Sequence, residues 1–273
     1  MIEILKKAQS YTYNSLNYLD LDEIEINPNE DLIIEQSDAI IICNKTIKEY
    51  KMLWAAETLD AFTKAVGELE SKLNYLFSNG PRRIYMEFVR PELVPLLESI
   101  GFRNESQFVD FWMDDISKVE SSEGNTILIR NTVPEEYLKV SLITKACKGL
   151  SRGFHGEEVE FIKEWNEDES SCILLAELDG VAVGVCFINI YGFDSEKGPV
   201  LWIRELAVDP NFQNRGIGRS LIEQGLQWGL HKGAKRSFLA VDKQNIKAIH
   251  LYNQFGYKCK DEIGQINMAL EGV

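Results

Sequence analysis

The sequence predicts a mixed α/β (α+β) chain of two domains, each a mixed, mostly antiparallel twisted sheet flanked by helices. Three observations carry this expectation. The C-terminal half alternates strand-like and helix-like patterns in the order β-α-α-β-β-β-α-β-α-β, which suits a sheet with helices packed on it. The N-terminal half repeats part of that order around one long amphipathic pattern. Between them, the stretch 114–125 (DDISKVESSEGN) is polar and short of large apolar side chains and reads as a linker. The boundary is set near residue 122, giving domains 1–122 and 123–273. A chain of 273 residues can support two cores of modest size.

In the N-terminal half, the apolar runs 39–43 (AIIIC) and 51–56 (KMLWAA) read as strands. Residues 58–77 read as a long amphipathic helix with Thr58 as its cap, because a threonine hydroxyl can accept from an early helical N–H. A strand over 83–89 (RIYMEFV), a short helix over 91–99, Gly101-Phe102 and a closing strand over 108–113 (FVDFWM) complete that half. In the C-terminal half, 126–131 reads as a strand and 134–148 as a helix with Thr132 near its start. The three glycines of 148–156 (KGLSRGFHG) demand a loop, and 157–165 reads as a second helix. Strands over 172–178 and 181–191 flank Asp179-Gly180, a strong hairpin signal. A strand over 201–208 stops at Asp209-Pro210. Helices over 219–232 and 247–255 alternate with strands over 237–241 and 263–270.

Composition narrows the function classes. With 45% hydrophobic and 26% charged residues the chain is an ordinary globular one. The net charge is −14, and residues 1–120 carry 12 basic against 22 acidic side chains. Such a surface opposes nonspecific binding to nucleic acid or anionic membranes, so neither is expected as a partner. The five cysteines, Cys43, Cys147, Cys172, Cys186 and Cys259, include no CxxC pair and read as reduced thiols. Cys172 and Cys186 lie in strands and read as core residues. The three histidines are scattered, so no metal site is expected. The N-terminus shows no signal-peptide pattern, and no apolar run approaches the roughly 20 residues that span a bilayer. A cytoplasmic location is the expectation.

The run that carries chemistry is 205–222 (ELAVDPNFQNRGIGRSLI). A strand ends at a proline, a glycine-containing turn follows, and a helix begins. Successive N–H groups at such a turn, together with the helix N-terminus, form an anion cradle. Gly216 and Gly218 would let a diphosphate approach the backbone, and Arg215 and Arg219 could pair with it. Alone, a GxG turn is equally well a tight strand-to-helix connection. It is not a dinucleotide fingerprint, since Leu221 takes the third glycine position, and no GK[ST] makes it a P-loop.

A second run, 245–257 (NIKAIHLYNQFGY), follows a strand shortly afterwards. Together the two runs resemble the GNAT superfamily of acyl-CoA N-acyltransferases, with its [QR]xxGx[GA] after the fourth strand and N…A…LYxxxGF after the fifth. Here these are Gln213-Asn214-Arg215-Gly216-Ile217-Gly218, then Asn245, Ala248, Leu251-Tyr252 and Phe255-Gly256-Tyr257, with Tyr257 for the usual Phe. The resemblance covers about 126–273.

It implies acetyl-CoA as cosubstrate and a small-molecule or peptide amine as acceptor. The pyrophosphate would sit on Gln213, Asn214, Arg215, Gly216, Ile217, Gly218, Arg219 and Ser220. The pantetheine arm would pair with Leu206, Ala207 and Val208, and an N–H of that strand would hold the thioester oxygen. Such a donor is worth about 3 kcal/mol. Asn245 matches the residue that bonds the cofactor arm. Tyr252 matches the general acid for the departing thiolate; on spacing alone it is a packed core aromatic. For the base, Glu205 on the fourth strand is the candidate, opposed to Leu206 by strand alternation, and a plain surface carboxylate is the alternative. His155 in the glycine-rich loop is a weaker candidate. Many relatives carry a Glu on the fifth strand, where this chain has Ala240.

Residues 83–113 echo the strand-helix-GF-strand order, but no [QR]xxGxG precedes them. This implies a degenerate GNAT-like domain without a cofactor motif, the alternative being an unrelated α/β domain. For the whole chain the expected activity is acetyl transfer to a primary amine by direct attack. The rivals are a non-catalytic acyl-CoA-binding or regulatory module, and a transferase using another acyl donor.

Overall fold

The computed structural model describes residues 2–19, 21–119 and 127–272. The chain divides into two compact units, Met1–Gln107 with Gln265–Val273, and Phe108–Gly264. This differs from the expected 1–122 and 123–273. The boundary set near residue 122 lies outside the described residues. The physical reason for the difference is strand pairing, since each unit is closed by a strand from the other half of the sequence.

The first unit contains α1 (Ile2–Gln9), β1 (Tyr13–Asn14), β2 (Leu32–Glu35), β3 (Ala39–Lys45), β4 (Tyr50–Ala56), α2 (Leu59–Asn79), β5 (Arg83–Val89), α3 (Val94–Ser99) and the start of β6 (Arg103–Met113). Strand β3 pairs antiparallel with β2 and β4, and β1 adds antiparallel to β4. Strands β4 and β5 run parallel but pair only at Tyr50↔Ile84 and Lys51↔Tyr85. Alternation splits β3 between two cores. Ala39, Ile41 and Cys43 pack with Ala61, Phe62, Ala65, Val66 and Leu69 of α2, while Ile40 and Ile42 pack with Leu5 and Ala8 of α1. The Thr58 hydroxyl accepts from the Ala61 N–H at 3.1 Å, the cap the sequence predicts. Only Glu57 and Thr58 separate β4 from α2, which leaves no phosphate-binding turn there. Neither α1 nor β2 was legible in the sequence.

The second unit contains the end of β6, then β7 (Leu128–Asn131), α4 (Tyr137–Ala146), α5 (Val159–Glu167), β8 (Ser171–Leu178), β9 (Val181–Tyr191), β10 (Val200–Val208), α6 (Ile217–His231), β11 (Arg236–Asp242), α7 (Ile246–Phe255) and the start of β12 (Lys258–Glu271). Strands β7 to β10 form an antiparallel series. Asp179 and Gly180 both have positive φ, 52° and 79°, as a primed two-residue hairpin requires. Strands β10 and β11 are parallel and pair only at Val200↔Arg236, Leu201↔Ser237 and Trp202↔Phe238. Beyond Trp202 the facing edge of β10 has no partner strand among the described residues.

The outer edge of β11 pairs antiparallel with Phe108–Met113 of β6. Correspondingly, β5 of the first unit pairs antiparallel with β12 from Ile266↔Val89 to Glu271↔Arg83. Both units therefore repeat one plan, an antiparallel series, one parallel step, then an antiparallel closing strand. Helix α6 packs on the β9 face that carries Cys186 and Ile188, and α4 and α5 cover the face that carries Val185 and Phe187.

Candidate active site

The expected helix at 219 begins earlier, at Ile217, because Gly216 in the left-handed region (φ 81°) caps it. Asn214 is also left-handed, at φ 61°. A turn of this kind needs residues that tolerate positive φ, which is the local reason for Asn-Arg-Gly. The first amides of α6, at Ile217, Gly218 and Arg219, have no intrahelical carbonyl and point out of the helix end. A Cβ at Gly216 would meet open space, and one at Gly218 would touch Leu251, Leu206 and Val208 only at ordinary contact distances of 3.5–3.9 Å. The chain thus leaves the space at Gly216 open and does not crowd Gly218.

Side chains fix the turn. Gln213 Nε2 donates to the Val208 carbonyl at 3.1 Å, and the Asp209 carboxylate accepts from the Asn211 N–H at 2.8 Å. The Ser220 hydroxyl donates to the Gly216 carbonyl at 3.2 Å, so it serves the helix cap. Arg215 lies 5.2 Å over the Phe212 ring; Arg219 lies 5.0 Å over Phe255 and bonds Gln254. Both guanidiniums thus border the cradle while engaged with neighbours.

Strand β10 carries a feature that sequence alternation missed. The β9–β10 register shifts between Ile203 and Glu205, so Arg204 is an extra, bulged residue. The bulge keeps Leu201, Ile203, Leu206 and Val208 on the α6 face and puts Ala207 on the α4–α5 face. Arg204 turns to the α5 side, where its Nη1 donates to Glu157 Oε1 at 2.7 Å. Its guanidinium stacks 4.3 Å over Phe161 and 5.4 Å over Trp165.

Burial pushes the Glu205 carboxyl up to about 7, and the charge of Glu157 adds to this; Arg204 and the Leu206 N–H oppose it. Tyr252 is buried, and loss of solvent raises its phenol well above the usual range, with Cys186 and Glu205 adding to the rise. Tyr252 lies on α7, whose N-cap is Asn245. The Asn245 side chain accepts from the Ala248 N–H at 3.2 Å, so one end of its amide holds the helix. Gly256, at φ 93°, ends α7. The unusual Tyr257 is buried with its hydroxyl 2.6 Å from the Ser237 hydroxyl, which satisfies the extra polar atom.

The structure therefore brings Glu205, Leu206, Ala207 and Val208 together with Tyr252 around one unpaired strand edge, and the turn 213–220 follows from that strand's end. His155 is exposed, and Ala240 is exposed on β11. Cys172 and Cys186 are buried, as a core role requires. Two ion pairs were not legible, Arg204–Glu157 and the buried Asp242 with Arg152 at 2.9 Å, because their partners lie 47 and 90 positions apart. Among the described residues no group of three or more His, Cys, Asp or Glu side chains is placed to hold a metal ion, and no helix is long and apolar enough to cross a membrane.

Comparison with known proteins agrees with this geometry. The profile of the Acetyltransferase (GNAT) family matches residues 141–257. An uncharacterized N-acetyltransferase of Methanocaldococcus jannaschii is 28% identical over 145 residues, 50% of this chain and 63% of that protein. A mycothiol acetyltransferase of Acidimicrobium ferrooxidans is 34% identical over 84 residues, 31% of this chain and 27% of that protein. The chain thus spans less than two thirds of the length of either relative. Among solved structures, a GCN5-related N-acetyltransferase from Sphaerobacter thermophilus matches with a TM-score of 0.62 at 15% identity, over 99% of this chain and 86% of that one. Another from Kribbella flavida matches with a TM-score of 0.57 at 13% identity, over 90% of this chain and 91% of that one. At such identities the likeness is one of fold. With the family match spanning the strand edge, the glycine turn and α7, the stretch 141–257 is a domain of the GNAT acetyltransferase family.

Proposed function

We propose that the chain transfers an acetyl group from acetyl-CoA to a primary amine by direct attack. The observation that carries this reading is the unpaired edge of β10 running into the left-handed glycine turn at the start of α6. The amides of 216–219 and the side chains of Gln213, Arg215 and Arg219 would hold the pyrophosphate, and the edge 206–208 the pantetheine arm. Bound acetyl-CoA supplies an acetyl carbon activated as a thioester.

Glu205 takes a proton from the acceptor ammonium, which frees the lone pair that forms the new C–N bond. An N–H on the β10 edge faces the carbonyl oxygen as charge develops there. Tyr252 gives its proton to the sulfur as the C–S bond breaks, and the second proton shed by the attacking nitrogen restores the phenol. Burial suits both groups. A carboxyl raised to about 7 gains and loses protons near neutral pH, and a raised phenol stays protonated until a stronger base appears. The acidic chain favours cationic acceptors such as amine metabolites. The first unit, which shares the strand plan but has a two-residue β4–α2 connection, is read as a degenerate GNAT-like unit without a donor site.

The test is a thermal melt with and without acetyl-CoA, with NADH and ATP as controls. Ligand at about 100 times Kd should stabilise by about 2.7 kcal/mol, a shift of a few degrees. The shift should vanish in Gly218→Glu, which fills the cradle. Absence of any shift at millimolar acetyl-CoA overturns the reading. A shift with no thiol release on any amine assigns a binding module instead.

A further inference from the structure

The acceptor side of β10 holds two carboxylates and one guanidinium in an arrangement that the family match does not specify. Glu157 is pinned by its backbone. Its N–H donates to the Thr144 hydroxyl at 2.9 Å, and its carbonyl accepts from the Ser141 hydroxyl at 2.7 Å. The preceding Gly156 is left-handed (φ 83°), and a Cβ there would lie 2.7 Å from the Lys145 backbone. Only glycine permits that close approach, so the Glu157 carboxylate has a fixed origin. Opposite it, the β10 bulge supplies Arg204, held flat on Phe161 and Trp165. The two meet at 2.7 Å. Glu205, the next residue along the strand, makes no ion pair among the described residues.

We propose that Arg204 and Glu157 are the positioning residues of this site: their ion pair and the aromatic shelf engage Arg204, and so leave Glu205 as the carboxylate that takes the acceptor's proton. The inference rests on the reading of Glu205 as the base. Trp202 meets Trp165 at 5.7 Å, so alternation along β10 sends Arg204 to the same α5 side, and the bulge then adds Glu205, paired opposite Phe187, to that face. Engaged by Glu157 and the two rings, the guanidinium is kept from closing directly on Glu205, a contact that would hold that carboxyl ionised and make it a poor proton acceptor at neutral pH.

Among the described residues, the charged and titratable groups that act on Glu205 or feel its charge are few. They are Arg204 on its own strand, Glu157 ahead of α5, Cys147 after α4, Cys186 on β9 and Tyr252 on α7. Burial keeps both thiols and the phenol neutral around pH 7, so Arg204 and Glu157 are the charges that set when Glu205 titrates. Their signs predict opposite effects. Glu157→Gln removes a negative neighbour and releases Arg204, so Glu205 should lose its proton at lower pH. Arg204→Gln removes the positive neighbour and leaves Glu157 unpaired, so Glu205 should lose its proton at higher pH.

The experiment follows the side-chain carboxyl carbons of the whole chain, labelled with ¹³C-glutamate, by NMR across pH 4 to 9. The Glu205 signal is assigned by its loss in Glu205→Gln. In parallel, kcat/KM against pH is measured with acetyl-CoA and spermidine, histamine and a lysine peptide as acceptors. The expected result is a Glu205 midpoint near 7, moved about one pH unit down in Glu157→Gln and about one unit up in Arg204→Gln, with Arg204→Lys close to the parent. The acid limb of kcat/KM should move with it. A Glu205 midpoint unmoved by either substitution, or moved in the same direction by both, overturns the proposal. Midpoints that move as expected while Glu205→Gln keeps full turnover would instead overturn the role of Glu205 as base. Melting curves of each variant establish that a changed midpoint belongs to a folded chain.

Discussion

Burial raises both the Tyr252 phenol and the Glu205 carboxyl, and the two shifts have opposite uses. A phenol that resists ionisation is a dependable donor, while a carboxyl near 7 is poised to accept. Tyr252→Phe should lower kcat by about 10²-fold or more with acetyl-CoA binding intact, as read by steady-state kinetics and the acetyl-CoA melt together. Loss of binding along with rate would assign Tyr252 to packing. The Glu205 shift also predicts stability. A carboxyl that holds its proton more tightly in the folded chain stabilises that chain while protonated, and this contribution is lost as pH rises from the ordinary carboxylate range through about 7. Glu205→Gln should therefore melt higher than the parent at pH 8 and alike at pH 4. Tyr252 was legible because its motif is local, four residues before Gly256. Arg204 and Glu157 were not, since a bulge shifts side chains without leaving a mark in alternating apolar residues, and the ion pair closes a loop of 47 positions.

At the scale of elements, α6 shows how closely a helix can be laid on a sheet. Gly225 and Gly229 both face it, and they differ in a measurable way. A Cβ at Gly225 would lie 3.5 Å from Ile188, an ordinary contact, whereas at Gly229 it would lie 2.9 and 3.1 Å from Leu201. Alanine is favoured over glycine in a helix by about 1 kcal/mol. Gly225→Ala should gain stability of about that size. Gly229→Ala should lose up to about 2 kcal/mol net, because overpacking of about 1–3 kcal/mol outweighs the propensity gain of about 1 kcal/mol. Chemical denaturation of both variants checks the sign of each. The strands and helices themselves were read well from period and turn residues, as Asp179-Gly180 and Thr58 show. The short β2 and the eight-residue α1 carry too little pattern to be seen.

For the whole molecule, the expected division near residue 122 is the reading with the largest consequence. Linker composition pointed there, but pairing is a long-range property: Ser237 meets Met113, and Leu270 meets Ile84. A fragment 123–273 would lack the strand 108–113 beside β11 and carry 265–273 with no partner. Both exposed edges invite aggregation. That fragment, expressed alone, should be insoluble or lack a cooperative melt, and supplying 1–122 on a separate chain should restore both. A soluble fragment with a sharp transition would show that the second unit closes by itself.

The exchange of closing strands bears on how such a chain can change over generations. Where two halves fold independently, one that no longer does chemistry can be deleted without harm. Here each half ends in the strand that finishes the other, so losing either leaves its counterpart with an open edge. A half relieved of catalysis is still retained by selection on the fold of its neighbour, and its interior is free to drift toward a different use.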